Sequence, residues 1–209
     1  LADIPDAHRG AEFVCAAALV TPDGQRTMNT YLGACVELGP EHVEEEVVAE
    51  AKVTYFEGYL WDPPRAKDAI REAARIAHAN GREMSMTLSD PFCVGRYRAE
   101  FLDLMKSGTV DIVFANKQEL LSLYETEDFE LALGKIALDC KLAAITLSEE
   151  GAVIVRGSER VKIDAYAIDE LVDTTGAGDL FASGFLYGYT QGRSLEDCGK
   201  LGCFAASEV

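Results

Sequence analysis

The residues with the clearest chemical potential form a short glycine-rich turn. Residues 173–179 read Asp-Thr-Thr-Gly-Ala-Gly-Asp, and an apolar helix pattern follows directly. Because glycine has no Cβ, Gly176 and Gly178 allow the backbone to turn sharply and to approach a ligand closely. The N-terminus of the following helix presents free N–H groups and a partial positive charge of about half a unit. The turn therefore predicts a phosphate-binding anion hole at residues 176–179.

Asp179 ends this turn, where a carboxylate beside bound phosphate predicts a general base. In phosphoryl transfer to an alcohol, hydrogen-bond donors neutralise the charge on the moving group and a carboxylate accepts the hydroxyl proton. The alternative is structural, because Asp is a preferred helix N-cap and glycine-rich turns begin many helices that bind nothing. Two Asp residues around the turn, with a helix directly behind it, favour the catalytic interpretation.

Asn116 and Glu119 form a second candidate site. Their i, i+3 spacing places both side chains on one face of the helix that is predicted to begin at Lys117. An amide oxygen and a carboxylate suit Mg²⁺, which prefers oxygen ligands and retains several waters. The alternative is an ordinary helix start, since an acidic first turn is favourable in its own right.

The elements that must position these residues alternate along the chain. Short apolar runs, predicted as strands, are separated by segments with helical periodicity, including residues 41–50 and 96–106. This alternation is typical of βαβ units, so we expect one α/β domain with a mostly parallel sheet and helices on both faces. An Asp-Gly pair within residues 12–32 predicts a β-hairpin.

The candidate sites are expected at one edge of this sheet. Asn116 and Ser148 each follow a predicted strand, and the Gly176 turn lies between sheet and helix. In open parallel sheets, ligands bind beyond the carboxyl ends of the strands. The three segments should therefore lie close together, although they are far apart in sequence.

Several segments resemble the ribokinase-like PfkB carbohydrate kinases. Residues 173–179 are similar to the C-terminal signature of that family, and Asn-Lys-Gln-Glu at 116–119 is similar to its Asn-x-x-Glu motif. Thr-Leu-Ser-Glu-Glu-Gly at 146–151 resembles its Thr-x-Gly-x-x-Gly segment, with Ser148 where glycine is usual. Within the family, Thr-Leu-Ser-Asp-Pro-Phe at 87–92 is most similar to the adenosine kinases.

The resemblance implies a three-layer α/β/α fold with a mostly parallel sheet and part of a small β lid, to which the hairpin at 12–32 would belong. It implies ATP and Mg²⁺, with Mg²⁺ near Asn116 and Glu119 and with Asp179 as the general base. The implied anion hole is Gly176, Ala177 and Gly178. The residues implied in ATP binding are Asn116, Thr146, Ser148, Glu149, Gly151, Gly176 and Gly178.

Two further roles follow from the resemblance. Asp173 and Thr175 are similar to residues that help to bind a monovalent cation such as K⁺, although Asp and Thr also stabilise turns through bonds to the backbone. Arg26 resembles an arginine that reaches the transferring phosphate from the lid, with a solvated turn arginine as the alternative. Because members of the family are longer at both ends, we expect residues 1–209 to be a single kinase domain that lacks part of each end.

Composition limits the partners and the compartment. A net charge of −17 makes nucleic acids and anionic membranes poor partners, because both repel an acidic surface. No apolar run is long enough to span a bilayer. The six cysteines have no zinc-binding spacing, and we expect a reduced, cytoplasmic protein.

We therefore expect an ATP-dependent kinase that phosphorylates a primary hydroxyl of a ribosyl compound, with adenosine as the first candidate. A kinase for ribose, fructose, inosine or another small sugar or nucleoside is an alternative, as is a nucleotide-binding regulator without turnover. A dinucleotide-dependent oxidoreductase is disfavoured, because the glycine-rich turn comes after several βαβ units and no acidic ribose partner follows it. The expected assembly is a monomer or a homodimer.

Overall fold

A computed structural model describes residues 15–20, 26–168 and 174–208 of the chain. Its first two strands, β1 (Cys15–Val20) and β2 (Arg26–Tyr31), pair antiparallel as a sheet of their own. The pairing is that of a hairpin within residues 12–32, whose turn at 21–25 lies outside the described residues. Its membership of a lid stays a prediction.

The main sheet has six strands that lie side by side in chain order. They are β3 (Val53–Glu57), β4 (Glu83–Thr87), β5 (Ile112–Asn116), β6 (Leu142–Thr146), β7 (Ala152–Arg156) and β8 (Glu159–Ile163). The first four run parallel, and β7 and β8 are antiparallel additions at one edge. This confirms the mostly parallel sheet expected from the sequence.

Seven α-helices are described. They are α1 (Glu45–Glu50), α2 (Pro64–Ala79), α3 (Pro91–Lys106), α4 (Lys117–Tyr124), α5 (Phe129–Asp139), α6 (Ala177–Thr190) and α7 (Leu195–Ala206). Short 3-10 helices occupy Gly33–Glu37, Pro40–His42, Gly58–Trp61 and Ser148–Glu150. None of the described helices has the length and apolar character that a bilayer crossing requires.

Helices cover both faces of the main sheet. Side chains of α2 to α5 pack on one face, in a core that includes Val113 of β5. Phe181 and Phe185 of α6 pack on the other face, against Phe114 of β5, with α7 completing that layer. Because successive strand residues point to opposite faces, Val113 and Phe114 belong to different layers. The protein is therefore a three-layer α/β/α structure, as expected.

Two helices differ from the sequence prediction. Residues 41–50 are α-helical only over Glu45–Glu50, because Pro40–His42 is a 3-10 helix and Val43 is extended. The helix predicted from residue 96 begins five residues earlier, at Pro91. Asp90 precedes it, and its carboxylate accepts hydrogen bonds from two first-turn amides at 2.7 and 2.8 Å. Asp at the N-cap followed by Pro is a favourable helix start.

The cysteines whose side chains are described are free thiols. Cys93, Cys140, Cys198 and Cys203 are buried, and Cys35 is partly exposed. Burial raises the pKa of the Cys140 thiol to about 11, so this thiol stays protonated near neutral pH. The buried cysteines therefore act as small core side chains.

Candidate active site

Two of the candidate segments meet at the carboxyl edge of the parallel strands. Asn116 ends β5 and Thr146 ends β6, and the two residues are register partners across the sheet. Residues 116–119 and 146–151 therefore begin side by side. This edge is where ligands bind in open parallel sheets.

Helix α6 points its N-terminus toward the same edge. Its C-terminal end lies at the amino edge of the sheet, where the Tyr189 hydroxyl donates to Glu83 at 2.9 Å. Beside it, the Lys52 ammonium donates to the carbonyl of Thr190 at 2.6 Å. The helix has 14 residues and is therefore about 20 Å long, slightly more than a five-residue strand at about 17 Å. The turn that precedes α6 thus reaches the carboxyl edge.

Asp179 lies in the first turn of α6 with its side chain exposed. Gly176 precedes the helix with a φ of 88°, a left-handed conformation that glycine adopts without strain. The Ala177 amide donates to the Thr174 carbonyl at 3.2 Å, while the amides of Gly178 and Asp179 have no preceding helical carbonyl to bond. No ion pair of the Asp179 carboxylate is found among the described residues. The turn therefore combines an accessible carboxylate with the donor end of a helix.

Glu57 lies at the same edge of the sheet as Asp179 and is coupled to it electrostatically, although no sequence motif marks it. It is the last residue of β3, at the carboxyl edge. Burial raises the pKa of the Glu57 carboxyl, and the nearby charge of Asp179 raises it further. Its two oxygens accept hydrogen bonds from the hydroxyls of Tyr55, at 2.6 Å, and Ser89, at 3.3 Å. The only signal in the sequence is a charged residue at the end of a buried strand.

Asn116 and Glu119 form a reciprocal helix cap at the start of α4. The Asn116 side-chain oxygen accepts from the Glu119 amide at 2.8 Å, and the Glu119 carboxylate accepts from the Asn116 backbone amide at 2.9 Å and its side-chain amide at 2.7 Å. Glu119 is only 5% exposed, and burial raises the pKa of its carboxyl to about 7. The arrangement fits the helix-start alternative stated above, and adds a reciprocal cap that the sequence analysis did not predict. It leaves an acceptor position on each Glu119 oxygen, because a carboxylate oxygen has two lone pairs.

The conformation of the segment after β6 requires glycine at position 151, because any other residue there would force the backbone to shift. Gly151 has a φ of 89°, and a Cβ built on it would lie 2.0 Å from the Ile163 carbonyl oxygen. Ser148 also lies in the left-handed region, with a φ of 54°. Side chains disfavour this region, which explains physically why glycine is usual at this position. The side chains of Ser148 and Glu149 are exposed, and Thr146 is partly buried.

The remaining candidates are placed only in part. Asp173 lies outside the described residues. Thr175 is exposed in the turn before α6, and Arg26 is the first residue of β2, paired with Val20. The cation role of Asp173 and Thr175 and the phosphate role of Arg26 therefore stay predictions.

Several carboxylates are gathered at the carboxyl edge. The pKa of Glu119 is raised further by the charges of Asp90 and Glu57, so these carboxylates are near one another. Within the described ranges, no three His, Cys, Asp or Glu side chains are grouped as metal ligands. Mg²⁺ at nucleotide sites commonly takes one or two carboxylates and completes its shell with water and phosphate, so it does not need such a group.

Comparisons with known proteins agree with this fold. Residues 11–209 match the family model described as pfkB family carbohydrate kinase. The crystal structure of a probable sugar kinase protein from Rhizobium etli CFN 42 has a TM-score of 0.92 and 75% identity, over 93% of this chain and 59% of that chain. Adenosine kinase from Sinorhizobium meliloti has a TM-score of 0.91 and 73% identity, over 92% and 59% of the two chains. Cytidine kinase from Thermococcus kodakarensis is 40% identical over 195 residues, which cover 90% of this chain and 65% of that protein.

The chain spans about three fifths of the length of these relatives. The family match nevertheless includes all six strands of the main sheet and every segment that forms the candidate site. It also extends over the whole three-layer core. The chain therefore belongs to the pfkB family of carbohydrate kinases.

Proposed function

We propose that the protein transfers the γ-phosphoryl group of ATP to a primary hydroxyl of a ribosyl compound, with the 5′-hydroxyl of adenosine as the first candidate. The observation that carries the proposal is the exposed Asp179 carboxylate at the N-terminus of α6, at the same carboxyl edge of the sheet as Glu57. This arrangement supports an anion hole and a general base within one turn.

In the proposed reaction, the acceptor hydroxyl gives its proton to Asp179 while its oxygen forms a bond to the γ-phosphorus. The bond from that phosphorus to the bridging oxygen of ATP breaks, ADP leaves, and Asp179 then releases the proton to water. The amides of Gly178 and Asp179 donate to the phosphoryl oxygens as charge develops on them. Preorganised donors of this kind contribute roughly 3–4 kcal/mol each to lowering a barrier.

Asn116 and Glu119 are the residues proposed to hold Mg²⁺, through water or through the acceptor positions that their mutual cap leaves. A bound Mg²⁺ would neutralise phosphate charge at an edge that is otherwise acidic. The residues proposed to line the nucleotide are Thr146, Ser148, Glu149 and Gly151, with Asp173 and Thr175 at a K⁺ site and Arg26 on the transferring phosphate.

Glu57 is proposed to bind the acceptor. Its carboxylate lies at the same edge as Asp179 and is coupled to it electrostatically, so we expect a sugar whose hydroxyl reaches Asp179 to bring neighbouring hydroxyls toward Glu57. A carboxylate binds sugar hydroxyls by accepting their hydrogen bonds. This role makes a polyhydroxyl acceptor, such as a nucleoside or a sugar, the class that the site favours.

Adenosine is favoured over other acceptors by one relative, since the 73% identical structure from Sinorhizobium meliloti is named adenosine kinase. The 40% identical relative from Thermococcus kodakarensis is named cytidine kinase, which makes cytidine the second candidate. Both names are consistent with a nucleoside acceptor.

A substrate panel tests the proposal. The whole protein is incubated with ATP, Mg²⁺ and one of adenosine, cytidine, inosine, ribose or fructose. ADP and the phosphorylated acceptor are then quantified, and the two products should form in equal amounts. We expect the highest kcat/KM with adenosine. A higher kcat/KM with another acceptor would reassign the substrate, and ATP binding without product from any acceptor would support the regulator instead.

A further inference from the structure

Tyr55 and Glu57 lie on the same face of β3, because alternate strand residues point to the same side of a sheet. That face is covered by α6, whose first turn carries Asp179. The Tyr55 ring packs edge-on against Phe114 with a centroid distance of 6.2 Å, while its hydroxyl donates to Glu57 Oε1 at 2.6 Å. Tyr55 therefore links the Glu57 carboxylate to the core of the α6 layer.

Ser89 holds the other oxygen of the same carboxylate. Its hydroxyl donates to Glu57 Oε2 at 3.3 Å and accepts from the Tyr59 amide at 3.3 Å. Ser89 has a φ of 68°, an unfavourable conformation for a side-chain-bearing residue, which persists only when the surroundings enforce it. A Cβ on Gly58 would lie 2.7 Å from the Thr87 carbonyl oxygen, so the ends of β3 and β4 are in close contact here. Glu57 thus accepts hydrogen bonds from a residue of β3 and from a residue of the segment that follows β4.

Burial and the neighbouring carboxylates oppose the ionisation of Glu57. Burial and the charge of Asp179 on α6 both raise the pKa of the Glu57 carboxyl, and Glu119 on α4 is coupled to it electrostatically. The hydrogen bonds from Tyr55 and Ser89 act in the other direction and favour the carboxylate. Tyr59 is a further titratable neighbour among the described residues, and its pKa is raised by burial and by the charges of Glu57 and Asp179. The Tyr55 hydroxyl therefore supports both the orientation and the charge of Glu57.

We propose that Tyr55 is a positioning residue, which holds Glu57 in place beside Asp179 so that the acceptor is bound with its reactive hydroxyl on Asp179. The inference rests on the proposed kinase function. Tyr55 acts through Glu57 and does not itself contact the acceptor. Each Glu57 oxygen keeps one acceptor position for a substrate hydroxyl, since each receives one hydrogen bond from the protein.

Tyr55→Phe tests the proposal, because it removes the hydroxyl and keeps the ring that packs on Phe114. We expect the KM for the acceptor to rise about tenfold, the loss typical of one hydrogen bond to a charged group, with the KM for ATP unchanged. Loss of the donor raises the pKa of Glu57, so the acid limb of the pH profile of kcat/KM should move to higher pH. A merely structural role of Tyr55 would not move this limb.

Two comparisons make the result specific. In a Glu57→Gln background, Tyr55→Phe should cause no further shift of the acid limb, because the residue through which it acts has been removed. Tyr124→Phe is the matched control: Tyr124 also donates to a carboxylate, that of Asp139 at 3.1 Å, but at the far end of α4. It should leave both KM values and the acid limb unchanged.

An unchanged acid limb and acceptor KM in Tyr55→Phe would overturn the inference, as would an equal shift in the Glu57→Gln background. If the wild-type protein phosphorylates no acceptor, the proposed function fails separately. The Tyr55 contact is then tested by measuring the pKa of the Glu57 carboxyl by NMR titration, in wild type and in Tyr55→Phe. A rise in the variant supports the contact, and an equal pKa overturns it.

Discussion

Asn116 and Thr146 face each other as the last paired residues of β5 and β6. Each begins a segment with candidate nucleotide-binding residues, and the parallel strands bring the two starts to the same edge. Helix α6 extends from the amino edge of the sheet to the carboxyl edge, and its first turn places Asp179 at the carboxyl edge. The site thus depends on the sheet register and on the orientation of one helix, rather than on neighbouring residues in sequence.

Gly178 provides a test of the anion hole, because the fold alone does not require glycine there. No atom lies within 4 Å of a Cβ built on Gly178, and the residue is in a helix, where alanine is favoured by roughly 0.5–1 kcal/mol. We expect Gly178→Ala to raise the free energy of unfolding and to lower kcat/KM at least about tenfold, since the methyl group takes space that the phosphate needs. Urea denaturation and steady-state kinetics measure the two effects.

Gly134→Ala is the control for this prediction. Gly134 lies inside α5, and a Cβ built on it also meets nothing within 4 Å. The substitution should give a similar gain in stability with unchanged kinetics. Full activity of Gly178→Ala would argue against a close approach of phosphate to this turn.

Ser148 has a φ of 54°, at the position where the motif that residues 146–151 resemble has glycine. Replacing it with glycine removes the strain of a left-handed side-chain-bearing residue, at the cost of extra backbone entropy in the unfolded chain. We expect Ser148→Gly to raise the free energy of unfolding by roughly 0.5–1 kcal/mol. Ser148→Ala keeps the strain and should give no gain. Equal stability changes in the two variants would contradict this explanation.

Glu119 predicts a specific pH dependence of stability. Its pKa is about 7 in the folded protein against an ordinary value of 4.5, so the unfolded chain loses this proton first as pH rises. The contribution of Glu119 to the free energy of unfolding is therefore present below about pH 4.5 and is lost as pH rises to about 7. Glu119→Gln removes this loss, so the stability of the variant relative to wild type should improve across that window.

Urea denaturation at several pH values between 4.5 and 8 measures this difference in a metal-free buffer. The control is Glu127→Gln, since Glu127 is exposed and has no place in the candidate site. Its stability relative to wild type should stay constant with pH. A constant difference for Glu119→Gln as well would show that burial does not perturb this carboxyl.

The sequence predicted most of the fold because apolar periodicity determines which faces are buried. The helix predicted to begin at Lys117 begins there as α4, and the predicted alternation of strands and helices is present. The helix at 41–50 was wrong in its first part, since a 3-10 turn from Pro40 and an extended Val43 replace it. The local pattern of apolar and polar residues does not distinguish a 3-10 turn followed by an extended residue from a turn of α-helix.

The site was only partly predictable from sequence. Asp179 and the glycines belong to a contiguous motif, so their proximity required no knowledge of the fold. Glu57 and Tyr55 join the site through the position of β3 in the sheet and the packing of α6, which no local pattern contains. A helix start was available as the alternative for Asn116 and Glu119, because the same side chains suit a helix start and a metal.

The most direct test of the account is the turnover of Asp179→Asn. If Asp179 accepts the acceptor proton, the variant should lose roughly a hundredfold to ten-thousandfold in kcat, while ATP still binds with wild-type affinity in calorimetry. Asp128→Asn is the matched control, because Asp128 caps the N-terminus of α5 and Asn caps helices equally well. Wild-type turnover in Asp179→Asn would contradict the central claim that this carboxylate is the general base.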